Sequence, residues 1–184
     1  MKLNDVFSTE FLNKLNALNP QADLNFNEEI NGFIDVKKIL EELNFDIIFD
    51  NQMIGSGRID QNRIYIDSSE GEPRRRFSMA HELGHAVQNN RHANRNDDSS
   101  DYSAEDKKDE VFANTFAAQF LMPKKLVVEG VQTVIADKGF NAKCLQDGDV
   151  STIIEEVAKK LKVSKIAMKY RIDNLGIFIP TSGE

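Results

Sequence analysis

The chain has few of the residues that build cross-linked or disordered scaffolds. Its 184 residues include one cysteine, Cys144, and only 4 prolines and 10 glycines. A single cysteine excludes a disulfide framework and a cysteine-rich zinc ribbon. With 40% apolar residues, the composition is typical of a folded globular chain and not of a disordered one. The length predicts about one domain.

The chain also lacks long apolar runs and an excess of basic residues. No apolar stretch approaches the roughly 18 residues of a membrane span, and residues 1–6 contain no signal-peptide core. The 30 acidic and 23 basic side chains give a net charge of −7, which argues against broad, phosphate-driven binding of nucleic acid. We therefore expect a cytoplasmic protein that binds neither a membrane nor nucleic acid directly.

The pattern of apolar residues predicts an α+β, mostly helical fold in a single domain over residues 1–184. Within it we expect N-terminal helices in 1–45, a small antiparallel sheet of about three strands in 46–68, a helix pair in 73–122 and C-terminal helices in 123–176. The predicted helices cover 8–18, 32–44, 73–90, 103–122, 123–139, 150–162 and 164–174, and the predicted strands cover 45–49, 56–60 and 63–67.

One motif in this pattern carries recognisable chemistry, His81-Glu82-Leu83-Gly84-His85, and it lies within a predicted helix. A spacing of four residues turns a helix by about 400°, so both imidazoles lie on one face and can bind one metal ion. Glu82 is displaced by about 100° and is poorly placed as a ligand, but its carboxylate can reach a water on the open side of the ion. The motif therefore predicts a metal site with Glu82 as its general base.

A catalytic zinc site uses three protein ligands, so the motif alone is incomplete. One known extension places a glycine and then a third histidine downstream, but Gln88 and Arg91 occupy those positions here. His92 lies one residue further on, in a polar segment that we expect to be an exposed loop. It is therefore a poor candidate for the third ligand.

The helix predicted at 103–122 offers better candidates. Glu110 lies on the face that carries its small residues, where a buried carboxylate needs a partner such as a cation. Asn114 follows one turn later and can hydrogen-bond a ligand imidazole. Asp106 shares this face one turn earlier, and Asp109 points about 100° away, so both remain alternatives to Glu110.

Three stretches resemble the ImmA/IrrE family of zinc metallopeptidases. They are residues 76–85 (RFSMAHELGH), residues 110–123 (EVFANTFAAQFLMP) and residues 163–176, which are similar to the closing helix of that family. Phe112 departs from the pattern, because members often have a second glutamate directly before the Ala-Asn pair. The resemblance spans about residues 60–176 and implies a zincin-like fold.

The resemblance implies a zinc endopeptidase that cleaves a helix-turn-helix repressor and so relieves repression. Zn²⁺ is expected on His81, His85 and Glu110, with water in the fourth position; Mn²⁺ and Fe²⁺ also suit two histidines and a carboxylate. Candidate donors to the oxyanion are Tyr102 and His92, in the polar segment after the motif.

Two further hypotheses concern how such a site is used. Strand 63–67 precedes the motif and is either a plain structural strand or one that pairs with an extended substrate. The chain itself is alternatively a zinc-containing binding module that sequesters a repressor or toxin partner without cutting it. The intact Glu82 argues against this alternative, because a purely structural metal site has no use for a general base.

Overall fold

The computed structural model describes residues 1–89 and 104–178. It confirms the α+β, mostly helical class. The elements are α1 (Leu3–Val6), α2 (Thr9–Asn16), α3 (Val36–Glu42), β1 (Asp46–Asp50), β2 (Gly57–Asp60), β3 (Arg63–Asp67), α4 (Glu72–Val87), α5 (Ala104–Leu121), α6 (Lys124–Lys138), α7 (Asp147–Leu161) and α8 (Lys165–Leu175). None of the helices in the described part of the chain is long and apolar enough to cross a membrane.

Local side chains and glycines set several of the helix ends. The hydroxyl of Ser8 accepts a hydrogen bond from the third residue of α2, and Ser164 does the same for α8. Gly139 and Gly176 end α6 and α8 in the left-handed conformation, which a residue without a side chain adopts at little cost. These boundaries agree with the sequence prediction to within a few residues.

The helix predicted at 32–44 begins later than expected, at Val36. Gly32 has a φ of +84°, which interrupts a helix, and the carboxylate of Asp35 accepts a hydrogen bond from the backbone of Lys38 at 3.2 Å. Asp35 is therefore the N-cap, and Phe33 lies outside the helix.

The sheet has the predicted three strands, but it is mixed, so the expectation of a purely antiparallel sheet is wrong. The strand order is β1-β3-β2; β2 runs antiparallel to β3 and β1 runs parallel to it. Residues 51–56 carry the chain from β1 to the far side of β3. The alternation of apolar residues predicts which residues face the core, but it does not encode this strand order.

The central position of β3 contradicts the hypothesis that strand 63–67 pairs with an extended substrate. Both of its edges are already occupied, one by β1 and the other by β2. The side chains of Ile64 and Ile66 are fully buried, so β3 is a structural strand of the core. The edge strand that packs against α4 is β2.

Helix α4 lies at the centre of the molecule. It contacts α3, α5, β2 and β3, and every residue from Ser78 to Ala86 is buried. The buried guanidinium of Arg76 connects α4 to distant parts of the chain: its Nη2 donates to the carbonyl of Ile34 at 2.8 Å, and its Nε donates to the carbonyl of Lys162 at 3.1 Å. Burial lowers the pKa of Arg76.

Candidate metal centre

The two histidines of the motif lie side by side on one face of α4. Their Nε2 atoms are 3.1 Å apart, and their side chains are 0% (His81) and 1% (His85) exposed. The helix produces this arrangement by itself, because residues four apart lie one above the other. The core around α4 then fixes both rings.

Helix α5 brings a carboxylate to the same point. One oxygen of Glu110 lies 3.3 Å from Nε2 of His81, and the other lies 3.2 Å from Nε2 of His85. Burial alone would raise the pKa of Glu110, but hydrogen bonds with His81 and His85 outweigh it and hold the pKa at about 2. The carboxylate is therefore ionised at neutral pH.

The spacing of these three groups fits a tetrahedral metal ion. Ligand atoms about 2.1 Å from such an ion lie about 3.4 Å from one another. The two Nε2 atoms are 3.1 Å apart, and each lies 3.2–3.3 Å from a different oxygen of Glu110. One ligand atom from each of the three residues lies within 4.8 Å of the other two. Two imidazole nitrogens and one carboxylate oxygen are a donor set that zinc accepts, and three protein ligands leave one tetrahedral position open.

Asn114 orients one of the two rings. Its Oδ1 lies 3.1 Å from Nδ1 of His81, and because an amide oxygen only accepts, Nδ1 carries a proton. When a metal ion is bound, Nε2 is then the nitrogen whose lone pair faces it. Nδ1 of His85 is buried and has no hydrogen-bond partner within the described residues. The contact between Asn114 and His81 is the one that the helical spacing predicts.

Gly84 allows the two site helices to approach each other closely. A Cβ at this position would lie 3.0 Å from Cα of Ala113 and 3.2 Å from the ring of Phe116. His81 contacts Asn114 and His85 contacts Glu110, so the two helices run antiparallel. Glu110 reaches both histidines because the helices meet without a side chain between them at Gly84.

Glu82 is fully buried and points toward β2. A Cβ on Gly57 would lie 2.7 Å from its Oε1, so the missing side chain at the start of β2 provides the space for this carboxylate. No sequence motif includes Gly57. The available signal is weak, since an isolated glycine in a strand indicates only that something approaches the backbone closely.

The other predicted site residues do not join the cluster. Asp106 is exposed and Asp109 is half-buried, and among the described residues the metal-binding group at this position consists of His81, His85 and Glu110. The suggested oxyanion donors, His92 and Tyr102, lie outside the described residues.

A comparison with protein-family models identifies the class of this chain. The model for the IrrE N-terminal-like domain, peptidase family M78, matches residues 41–173. The match covers well over half of the chain, so the protein belongs to this family, and the resemblance noted from the sequence is confirmed. No curated protein matches the chain. The matched region begins within α3 and includes the whole sheet and the entire candidate centre.

Proposed function

We propose that the protein is a zinc-dependent endopeptidase. The observation that carries this proposal is the cluster of His81, His85 and Glu110, whose ligand atoms lie within 4.8 Å of one another, with the buried carboxylate of Glu82 next to it in sequence. Membership of a peptidase family supports the same activity. A structural zinc site is normally closed by four protein ligands, whereas three ligands suit a catalytic site.

His81, His85 and Glu110 would hold the zinc ion. When bound, such an ion makes a water molecule acidic near neutral pH and polarises the carbonyl group of a substrate. The amide oxygen of Asn114 keeps the proton on Nδ1 of His81, so that Nε2 remains a ligand. The ionised carboxylate of Glu110 offsets part of the positive charge of the ion.

Glu82 is assigned the proton transfers. Its carboxylate takes a proton from the attacking water as the water oxygen bonds to the peptide carbonyl carbon, and then delivers this proton to the departing amide nitrogen as the C–N bond breaks. The burial of Glu82 against β2 keeps bulk water away from the carboxylate. Because β2 is the edge strand next to α4, an extended substrate is expected to pair with β2 rather than with β3.

The proposed substrate is a helix-turn-helix transcriptional repressor, whose cleavage relieves repression. This proposal rests on the resemblance to the ImmA/IrrE family. The rival function is sequestration of the same partner by a zinc-containing binding module that cuts nothing. The two functions differ in whether they need the carboxylate of Glu82.

The test uses Glu82→Gln together with a helix-turn-helix repressor as the candidate substrate. We expect the variant to keep one zinc per chain and to lose cleavage by about 10² to 10⁴, the usual worth of a general base. Glu72→Gln, at the exposed first residue of the same helix, is the matched control and should cleave normally. If Glu82→Gln relieves repression as well as the wild type does, sequestration is the function.

A further inference from the structure

A groove lies beside the candidate centre, between α4, α5 and α8. It consists of two adjoining cavities of about 320 Å³ and about 510 Å³. Four residues line both cavities, namely Phe77, Met122, Ala167 and Tyr170. The two cavities therefore adjoin at a largely apolar patch, and polar residues line the far part of the smaller one.

The groove continues along the line where α4 and α5 meet, which is also where the candidate centre lies. Phe77 precedes His81 by one turn of α4, and the centroids of the two rings are 6.4 Å apart. Asn114, which contacts His81, lines the smaller cavity together with Ala118, one turn later on α5, and Met122, the first residue after that helix. A substrate peptide bound across the metal centre can therefore continue along α4 and α5 into the groove.

The lining indicates what the groove accepts. Ile166 and Tyr170 are 69% and 64% exposed, and exposed apolar side chains of this size mark a binding surface. Within the described residues, no aspartate or glutamate lines either cavity, and the charged lining residues are Arg74 and Arg171. Arg74 pairs with Glu70, whereas Arg171 has no ion pair in the described part of the chain. The occupant is therefore apolar and carries no basic group beside its apolar side chain.

The position of the groove along α4 sets its distance from the peptide bond that is cut. Phe77 and Pro73 lie about 6 Å and about 12 Å from His81 along α4, at 1.5 Å per helical residue. An extended peptide advances about 3.3 Å per residue. The groove therefore lies two to four residues from a peptide bond held at the metal.

We propose that this groove is the specificity subsite of the metal centre and binds a large apolar side chain of the substrate, two to four residues from the cleaved bond. The inference rests on the proposed peptidase function. It adds a substrate class: an extended segment with an apolar side chain at one of these positions and no lysine or arginine beside it. Tyr170 and Ala167 are its specificity-determining residues, since both line the two cavities.

The test measures binding, not cleavage. Short peptides ending in a zinc-binding hydroxamate are titrated into the zinc-loaded protein, with leucine or glycine placed at each of the three positions. We expect leucine to bind about tenfold or more tightly than glycine at one position, since filling an apolar pocket has an effect of this size. Lysine beside that leucine should weaken binding, because it would face Arg171.

Two variants connect the preference to the groove. Ala167→Phe fills space shared by both cavities and should abolish the preference for leucine. Tyr170→Ala removes an exposed wall, should not affect folding, and should reduce the same preference. Lys165→Ala, on the same helix, is the matched control, because its side chain pairs with Glu155 and lines neither cavity; it should bind leucine and glycine peptides as the wild type does.

Equal binding of leucine and glycine peptides at all three positions would overturn the proposal, as would an unchanged preference in both groove variants. A dimer that Tyr170→Ala dissociates without altering the preference would instead assign the groove to a second copy of the chain. A protein that prefers leucine probes but cuts no peptide would refute the peptidase function and leave the subsite intact. A protein that cuts peptides but shows no preference for leucine would support the peptidase function and refute the subsite.

Discussion

Helices α4 and α5 supply side chains to the same centre, but they hold them in different surroundings. In α4 every residue from Ser78 to Ala86 is buried, and these include two histidines and a glutamate. In α5 only four residues are buried, and the carboxylate of Glu110 is 21% exposed. Packing on all sides fixes the groups of α4, whereas charge and hydrogen bonds to the histidines hold the group of α5. Changes around α4 should therefore disturb the chemistry most, and changes in α5 should affect metal affinity and its response to acid.

The largest effect is expected where β2 meets α4. Gly57→Ala places a methyl group 2.7 Å from the present position of Oε1 of Glu82, so the flexible carboxylate must move. The proposed peptidase activity should fall by about 10² to 10⁴, as for loss of a general base, while metal content stays the same. Gly148→Ala, whose Cβ would contact nothing within 4 Å, is the control. Normal cleavage by Gly57→Ala would show that the position of Glu82 does not depend on β2.

The second test concerns the ligand from α5. Glu110→Ala should weaken zinc binding by more than about a hundredfold, beyond the effect of losing a residue that only supports a ligand. Asp106→Ala, an exposed carboxylate one turn away, should leave the affinity unchanged. Competition with a chelator measures both variants. Stoichiometric zinc in Glu110→Ala would mean that another group is the third ligand.

In the metal-free protein, the free energy of unfolding should depend on pH because the pKa of Glu110 is lowered. Its pKa of about 2 lies below the ordinary value of 4.5, so the ionised form stabilises the fold fully above about pH 4.5 and loses this effect as the pH falls toward 2. The free energy of unfolding of the wild type should exceed that of Glu110→Gln by up to about 3 kcal/mol at pH 6. Urea titrations should show this difference closing at low pH; a difference that is constant down to pH 2 would contradict the assignment.

The smallest effect is expected at the contact between the two helices. Gly84→Ala brings a methyl group within 3.0 Å of the backbone of Ala113, which cannot rotate away. Such overpacking costs about 1–3 kcal/mol and is partly offset by the gain from replacing glycine within a helix. Thermal unfolding should show a net loss for Gly84→Ala and no loss for Gly148→Ala, which is also helical but faces open space.

The sequence predicts the parts of this centre that depend on one helix at a time. The four-residue spacing of His81 and His85 and the helical position of Glu110 follow from the geometry of an α-helix. The caps at Ser8 and Ser164 are also local, and for that reason the helix boundaries are nearly correct.

The features that the sequence does not predict are contacts between distant segments. The parallel pairing of β1 with β3 depends on where residues 51–56 lead the chain, and apolar alternation does not record this. The space that Gly57 leaves for Glu82 exists only after β2 packs on α4. The interruption before Val36 was readable in part, since Asp35 is a good N-cap residue, but Phe33 fits the helical pattern and obscures it.

The hydrogen bonds of Arg76 set an order of events during synthesis of the protein. Its acceptors lie 42 residues before it and 86 residues after it, so this buried guanidinium is satisfied only once Lys162 has been added to the growing chain. A nascent chain that has not yet reached Lys162 contains the whole His81–His85 motif but lacks one of the two contacts that hold Arg76 and α4 in place. We therefore expect the centre to become fixed only after the segment that contains Lys162 has been synthesised and has folded onto α4.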